Sequence, residues 1–480
     1  MDNGDLSPVS FNYDETMTYG DRMPYGSRDN PAYDFVWKTV ERLRLGMSRS
    51  PLQNIIKPGN TVLIKPNLID SIPGTYTRPE VVRPVIDMAV TAGAARIYIA
   101  DAGINFMETK QTLEATHYAE MARCLQRQYP AIKIEALNLN KLPRWRWVFL
   151  GEDSSFSNSG YRDDEIAFDY GKPLLNHPYY VTADRWGRNP HGNTSGCYAI
   201  SDDVLNADVV INMPKMKTHW TMLVTLSMKN LVGCTVASTY DHQAADGANL
   251  ARIPHCHVHD TNYFRNDIAA RVLQDLHKII LYCDKNGRLK KRKQRKYLTV
   301  IDGIEAMERS QTPLYNSKGK RRMNHMVLAG QDPVSTDMVA CRAMGYDYRQ
   351  IPVLKKRPMD NIHTIGNYNR DNIVVIGENL DARINHVFGF NDRWKKNAKC
   401  LAIKKFTPPK IRTLTRQGGK VTAVIHNCTA AHLMYGKGKL LTMSVKGNVY
   451  FAELPLSAKK IYIFAHDRYL NSISKQCDFA

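Results

Sequence analysis

The chain has 480 residues, 43% of them hydrophobic, so it is long enough for two or three domains and apolar enough to bury a core without covalent staples. Its nine cysteines, at positions 124, 197, 234, 256, 283, 341, 400, 428 and 477, include no CxxC pair, which argues against a zinc ribbon, a local ferredoxin-type cysteine cluster and a dense disulfide scaffold. A net charge of +20 raises nucleic acid as a partner, but residues 391–480 alone hold 17 Lys/Arg against 4 Asp/Glu, so the basicity belongs mainly to the C-terminal end.

The first residues, MDNGDLSPVSFNYDETMTYGDRM, are acidic and polar where a signal peptide is basic and then apolar. No run approaches the ~20 apolar residues of a membrane span. The expectation is a cytoplasmic protein with no membrane partner. Residues 1–34, rich in Asp, Gly, Asn, Pro and Tyr without periodicity, are predicted to form a flexible N-terminal arm. AYDFVWKTVERLRL then has helical spacing, and PGN marks a turn before TVLIKPN, a short β-branched run. RPEVVRPVIDMAVTAGA reads as a helix closed by Gly93, and RIYIAD follows as a strand. Strand, helix and strand with short links make a βαβ unit, which favours a parallel sheet.

The pattern continues with a helix over about 108–128 and a strand in IKIEALNLN. A polar, aromatic insertion interrupts it over about 141–200. It resumes with DVVINMP, a helix over about 264–282, YLTVIDGI, HMVLAGQD, a helix over about 334–344, and NIVVIG. The basic run NGRLKKRKQRK is expected to be a solvated loop. After about residue 400, the short runs VTAVIH, LLTMSV, VYFAEL and KIYIFAH predict small strands. The expected fold is therefore α/β: an open, mostly parallel sheet flanked by helices, with Rossmann-like βαβ units, spanning 35–400. A small β-rich basic unit over 401–480 completes it.

In such a sheet the ligand site forms beyond the carboxyl ends of the strands. Those ends carry Lys65 and Asn67, Asp101, Asn138, Asn212 and Lys215, Asp302 and Asp332. The cations Lys65, Lys215, Lys217 and Lys229 are lysines, whose pKa falls on desolvation, so they can exchange a proton as arginine cannot. Three titratable groups within PKMKTH repel one another unless an anion joins them. His219 can titrate near neutrality. In IPHCHVHD, an extended backbone puts His255, His257 and His259 on one face, suited to zinc or iron. Asp332-Pro333 is a common helix start; Asp332, Asp337, Glu305 and Glu308 are the remaining carboxylates in reach. No GxxxxGK[ST], GxGxxG or GxSxG motif follows a strand.

The blocks VLIKPNLI, PEVVRPVIDMAVTAGAARIYIAD, DVVINMPKMKTHWTMLVTLSMKNLVG, TVIDGIEAMERSQTP and VLAGQDPVSTDMVACRAMGYD occur in order over about 58–350. Together they resemble the domain of unknown function 362 family. The resemblance implies an α/β fold and, in many members, an iron–sulfur centre on a C-terminal cysteine cluster. This sequence departs there, with only the widely spaced Cys400, Cys428 and Cys477.

The expected function is an enzyme that binds an anionic small molecule, a carboxylate or phosphate, in a lysine-rich cleft. Lys65, Asp101, Lys215, Lys217, His219 and Asp302 are its expected catalytic residues, and Asn67, Asn212, Lys229 and Asn230 its substrate-binding ones. A divalent metal (Mg, Zn or Fe) is expected on His255, His257, His259, Asp332 or Asp337. The alternatives are a metal-binding or redox component, and a module whose basic C-terminal unit docks an acidic partner. Trp394, Phe406, Tyr435 and Tyr450 are not interleaved with the basic residues as base-stacking requires, which disfavours nucleic acid.

Overall fold

The computed structural model describes residues 6–20, 29–102, 109–139, 145–155, 168–169, 172–173, 197–219, 222–235, 268–314, 317–355, 362–392 and 394–479. Among the described residues, ten strands build the central sheet. They are β1 (Ser7–Tyr13), β2 (Thr61–Pro66), β3 (Arg96–Asp101), β4 (Lys133–Asn138), β5 (Val209–Met213), β6 (Lys215–His219), β7 (Leu223–Thr225), β8 (Lys296–Glu308), β9 (Lys320–Gly330) and β10 (Ile373–Gly377). Across the sheet the order is β10-β1-β9-β8-β5-β2-β3-β4, with β6 paired to β8 and to β7.

The strands β4, β3, β2, β5 and β8 run parallel, as the βαβ pattern predicts. Every residue of β2 and of β5 is buried, the mark of strands covered on both faces. Their side chains divide by parity. Val62, Ile64, Val209 and Ile211 pack with helices α1 (Ala32–Glu41), α2 (Pro79–Thr91) and α3 (Tyr118–Gln128). Leu63 and Val210 face the other way, into a second core with α5 (Ile268–Tyr282) and α6 (Pro333–Ala343), beside the short helix α4 (Ser227–Asn230). Lys65 and Asn212 share that second parity, which aims them at α4. None of the helices among the described residues is long and apolar enough to cross a membrane.

Four expectations need correction. First, residues 7–13 of the expected flexible arm are β1, which lies inside the sheet between β9 and β10. The short run SPVSFNY gains its partners only from chain more than 300 positions away, so local pattern could not reveal it. Second, β9 is antiparallel to β8 and to β1. Its final residues, and Asp332 after them, therefore lead away from the end where β2, β3 and β5 finish. Third, Lys215, expected at the end of the DVVINMP strand, instead begins a strand of its own with Lys217 and His219, β6. Fourth, the predicted 108–128 helix breaks at His117, whose backbone is left-handed at φ 63°.

The insertion opens and closes in a ribbon of Trp145–Phe149 against Cys197–Ser201; most of the residues between lie outside those described. The C-terminal unit consists of two four-stranded antiparallel sheets. They close on their own core, which includes Val421, Leu433, Ile461 and Ile463. Met434 and Phe464 pack it against Val374 and Ile376 of β10.

Candidate functional site: a buried lysine cluster at the strand ends

Neighbouring parallel strands end level with one another, so the last side chains of β2 and β3 meet. Lys65, buried to 1% exposure, places Nζ 2.8 Å from Asp101 Oδ1 and donates to the Pro66 carbonyl at 2.6 Å. The other carboxylate oxygen of Asp101 accepts from the Leu68 amide at 2.8 Å. Burial raises the Asp101 pKa, and Lys65 works against that rise. Gly233 closes over the pair. A Cβ there would sit 2.0 Å from Asp101 Oδ1 and 2.8 Å from Lys65 Nζ, so only glycine permits this contact.

A second pair comes from β6. After Pro214 the chain leaves β5 and pairs with the far half of β8, setting Lys215 opposite Asp302. Lys215 Nζ lies 2.8 Å from Asp302 Oδ2 with both side chains fully buried. It also donates to the Tyr19 hydroxyl at 2.9 Å, which itself donates to Asp302 Oδ1 at 2.5 Å. The Arg78 amide completes the shell on Oδ2 at 3.0 Å. Burial lowers the Lys215 pKa to about 8, with Asp302 resisting the fall.

Lys217 follows two positions on, on the same face of β6. It is buried to 1% exposure and donates to the Thr75 carbonyl at 2.6 Å. Burial pushes its pKa down to about 7; Asp70 resists, while Lys229 and Lys215 add to the fall. Lys229, half-buried on α4, is likewise pushed to about 7, by burial and then by Lys65. Neither Lys217 nor Lys229 has an ion pair among the described residues, and Lys229 has no hydrogen-bond partner there either. His219 is buried at the end of β6, where its Nδ1 accepts from the Met222 amide at 3.2 Å, one residue before β7.

The three predicted asparagines are joined to one another. Asn212 donates to the Ser227 carbonyl at 2.8 Å and to the Tyr297 hydroxyl at 2.7 Å. Its Oδ1 accepts from Asn230 Nδ2 at 2.7 Å. Asn230 in turn accepts from Asn67 Nδ2 at 2.9 Å and from Lys65 Nζ at 3.4 Å.

Other predicted residues do not join the cluster. Asp337 accepts from the Ser227 and Met228 amides at 2.7 and 2.8 Å, fixing α4, and burial raises its pKa to about 8. Asp332 caps α6 through the Ser335 amide and accepts from the Asn367 amide, both at 2.7 Å. It lines a separate cavity with Lys293 and Tyr368. Glu305 pairs with Arg321, and Glu308 accepts from the Gly389 amide at 3.0 Å. The histidines at 255, 257 and 259 lie outside the described residues. Among the described residues no three His, Cys, Asp or Glu side chains are grouped to hold a metal, and Asp101 and Asp302 are each engaged by a lysine. Of the C-terminal cysteines, Cys400 is exposed, and Cys428 and Cys477 are half-buried. Tyr19, Asp70, Thr75 and Gly233 are site residues that sequence reasoning missed.

Comparison with known proteins agrees with the block pattern. A domain of unknown function family, DUF362, matches residues 62–147 and 152–342, a span that includes every lysine and both paired aspartates of the cluster but not Tyr19. A thylakoid-associated protein of Synechocystis sp. is 26% identical over 184 residues, 38% of this chain and 41% of that protein; the chain thus matches less than half the length of this relative. A crystal structure of a Thermotoga maritima protein is similar at a TM-score of 0.30 and 7% identity, over 61% of this chain and 53% of that one, too low a score to carry a structural argument.

Proposed function

The chain belongs to the DUF362 family, and on that premise we propose that it is an enzyme that binds an anionic small molecule, a carboxylate or a phosphate, at the lysine cluster. The observation that carries this reading is a charge imbalance. Lys65 and Lys215 each have a carboxylate at 2.8 Å, whereas Lys217 and Lys229 have none within ion-pair distance among the described residues. Burying a cation without a counter-charge is expensive; an incoming anion relieves that expense at the buried Lys217 and gives the half-buried Lys229 a partner. Until it arrives, two amines with pKa near 7 stand half-protonated at neutral pH. That is the condition under which an amine serves as general acid or base.

In this reading Lys217 and Lys229 meet the ligand. Lys65–Asp101 and Lys215–Asp302 are the fixed framework that positions them, and the Thr75 carbonyl orients the Lys217 ammonium. Calorimetric titration with inorganic phosphate and with succinate at millimolar concentration tests it. We expect saturable binding of at least one of them, weakened about tenfold or more in Lys217→Met and Lys229→Met. Absence of binding by either anion, or unchanged affinity in both variants, would sink the reading.

A further inference from the structure

We infer that the ligand of the lysine cluster carries a hydrogen-bond donor, a hydroxyl or an amine, next to its anionic group, and that Asn67 reads that donor. This rests on the anion-site reading above and narrows its ligand class.

The asparagine chain runs in one direction only. An amide side chain looks alike at both ends, so its orientation follows from its partners. Here one end of the chain is fixed by backbone. The Ser227 carbonyl can only accept, so Asn212 must present Nδ2 to it, at 2.8 Å, and its Oδ1 faces Asn230. Asn230 then presents Nδ2 to Asn212 Oδ1 at 2.7 Å and to the Lys65 carbonyl at 3.1 Å. Its own Oδ1 is left facing Lys65 and Asn67. Asn67 must meet that oxygen with Nδ2, at 2.9 Å.

Polarity is thereby passed from α4 through three amides to a single atom, Asn67 Oδ1. That atom is buried and accepts no hydrogen bond among the described residues. Turning the Asn67 amide over would satisfy nothing, because two carbonyl oxygens would then face each other.

A second acceptor in the same loop is in the same condition. Asp70 takes the Ile72 amide at 2.8 Å and the Thr75 hydroxyl on Oδ1, while its Oδ2 is buried without a partner among the described residues. The loop that carries both returns to Asn67, whose carbonyl accepts from the Thr77 amide at 3.0 Å, and it places the Thr75 carbonyl on Lys217. The loop that carries the unfilled acceptors thus also holds Lys217, a buried lysine with no ion pair among the described residues. A ligand that is only an anion satisfies the lysines and leaves the acceptors dry, whereas a hydroxy- or amino-substituted acid satisfies both.

The test compares two probes of equal charge that differ by one hydroxyl, succinate and malate, by calorimetry on the full chain. A parallel pair, ethyl phosphate and 2-hydroxyethyl phosphate, covers the phosphate class. We expect the hydroxylated member of at least one pair to bind about tenfold or more tightly, and Asn67→Leu to erase that preference. Equal affinity within each pair, as when water serves the acceptors, overturns the inference and leaves the anion reading standing. A preference that survives Asn67→Leu overturns the role of Asn67. Binding of none of the four overturns the anion reading and this inference with it.

Discussion

Lys217→Met is expected to make the protein more stable at neutral pH while weakening anion binding. The Lys217 ammonium is buried, with the Thr75 carbonyl at 2.6 Å and no ion pair among the described residues. Its pKa falls from 10.5 to about 7, which corresponds to roughly 5 kcal/mol between charged and neutral forms. The unfolded chain holds this proton up to about pH 10.5, whereas the folded chain releases it above about 7. The penalty is therefore present in full below pH 7 and fades as pH rises from 7 to 10.5. Methionine has similar length and no charge, so the substitution removes the penalty. It also strips the Thr75 carbonyl of its donor, which costs about 1–3 kcal/mol. The net expectation is a gain of about 2–4 kcal/mol at pH 7, with a flatter rise in stability between about pH 7 and 10.5. Urea unfolding of wild type and variant across that pH range reads both quantities. A variant that is less stable at pH 7 and keeps the wild-type pH slope would show that the Lys217 charge carries no such penalty.

Affinity for succinate is expected to weaken as pH rises through about 7, because Lys217 and Lys229 lose their charge there; calorimetry at pH 6 and pH 8 checks it, and a pH-independent affinity would count against those lysines. Gly233→Ala drives a methyl group into Asp101 and Lys65; it should destabilise the fold by about 1–3 kcal/mol and abolish anion binding, as measured by denaturation and titration. Asp302→Asn strands the Lys215 charge and is expected to cost about 3–5 kcal/mol in the same assay. Tyr19→Phe removes the hydroxyl shared by Lys215 and Asp302; a loss of about 1–3 kcal/mol is expected, and an unchanged unfolding midpoint would show that the hydroxyl contributes nothing.

The parallel half of the sheet was legible because TVLIKP and VVINM are buried on both faces and therefore read as continuous apolar runs. The lysines were legible as oddities at the ends of such runs. Their partners were not. Lys217 is held by a carbonyl 142 positions away, and Tyr19 reaches an aspartate 283 positions away, so neither contact leaves a trace in local spacing. The antiparallel direction of β9 was hidden for a similar reason, since HMVLAG has the same apolar pattern whichever way it runs. Asp332 read as a strand-end ligand, although Asp-Pro was already a helix start. The asparagines were each picked out by position, but the amide orientation that links them depends on the Ser227 carbonyl and needs three dimensions.

The position of β1 bears on how the protein comes to be made. Val9 pairs with Gly330 on one side and with Val375 on the other, so a segment translated early must wait for two strands translated very late. Assembly dominated by such distant pairings is slow, and on the ribosome the half-built sheet exposes an open edge where β1 will insert. Tyr19 travels with β1, so the hydroxyl over Lys215 and Asp302 arrives only at this closing step. A nascent chain stalled before residue 320 would hold its lysines yet lack β9, the strand against which β1 first docks, so Tyr19 could not yet reach Lys215 and Asp302.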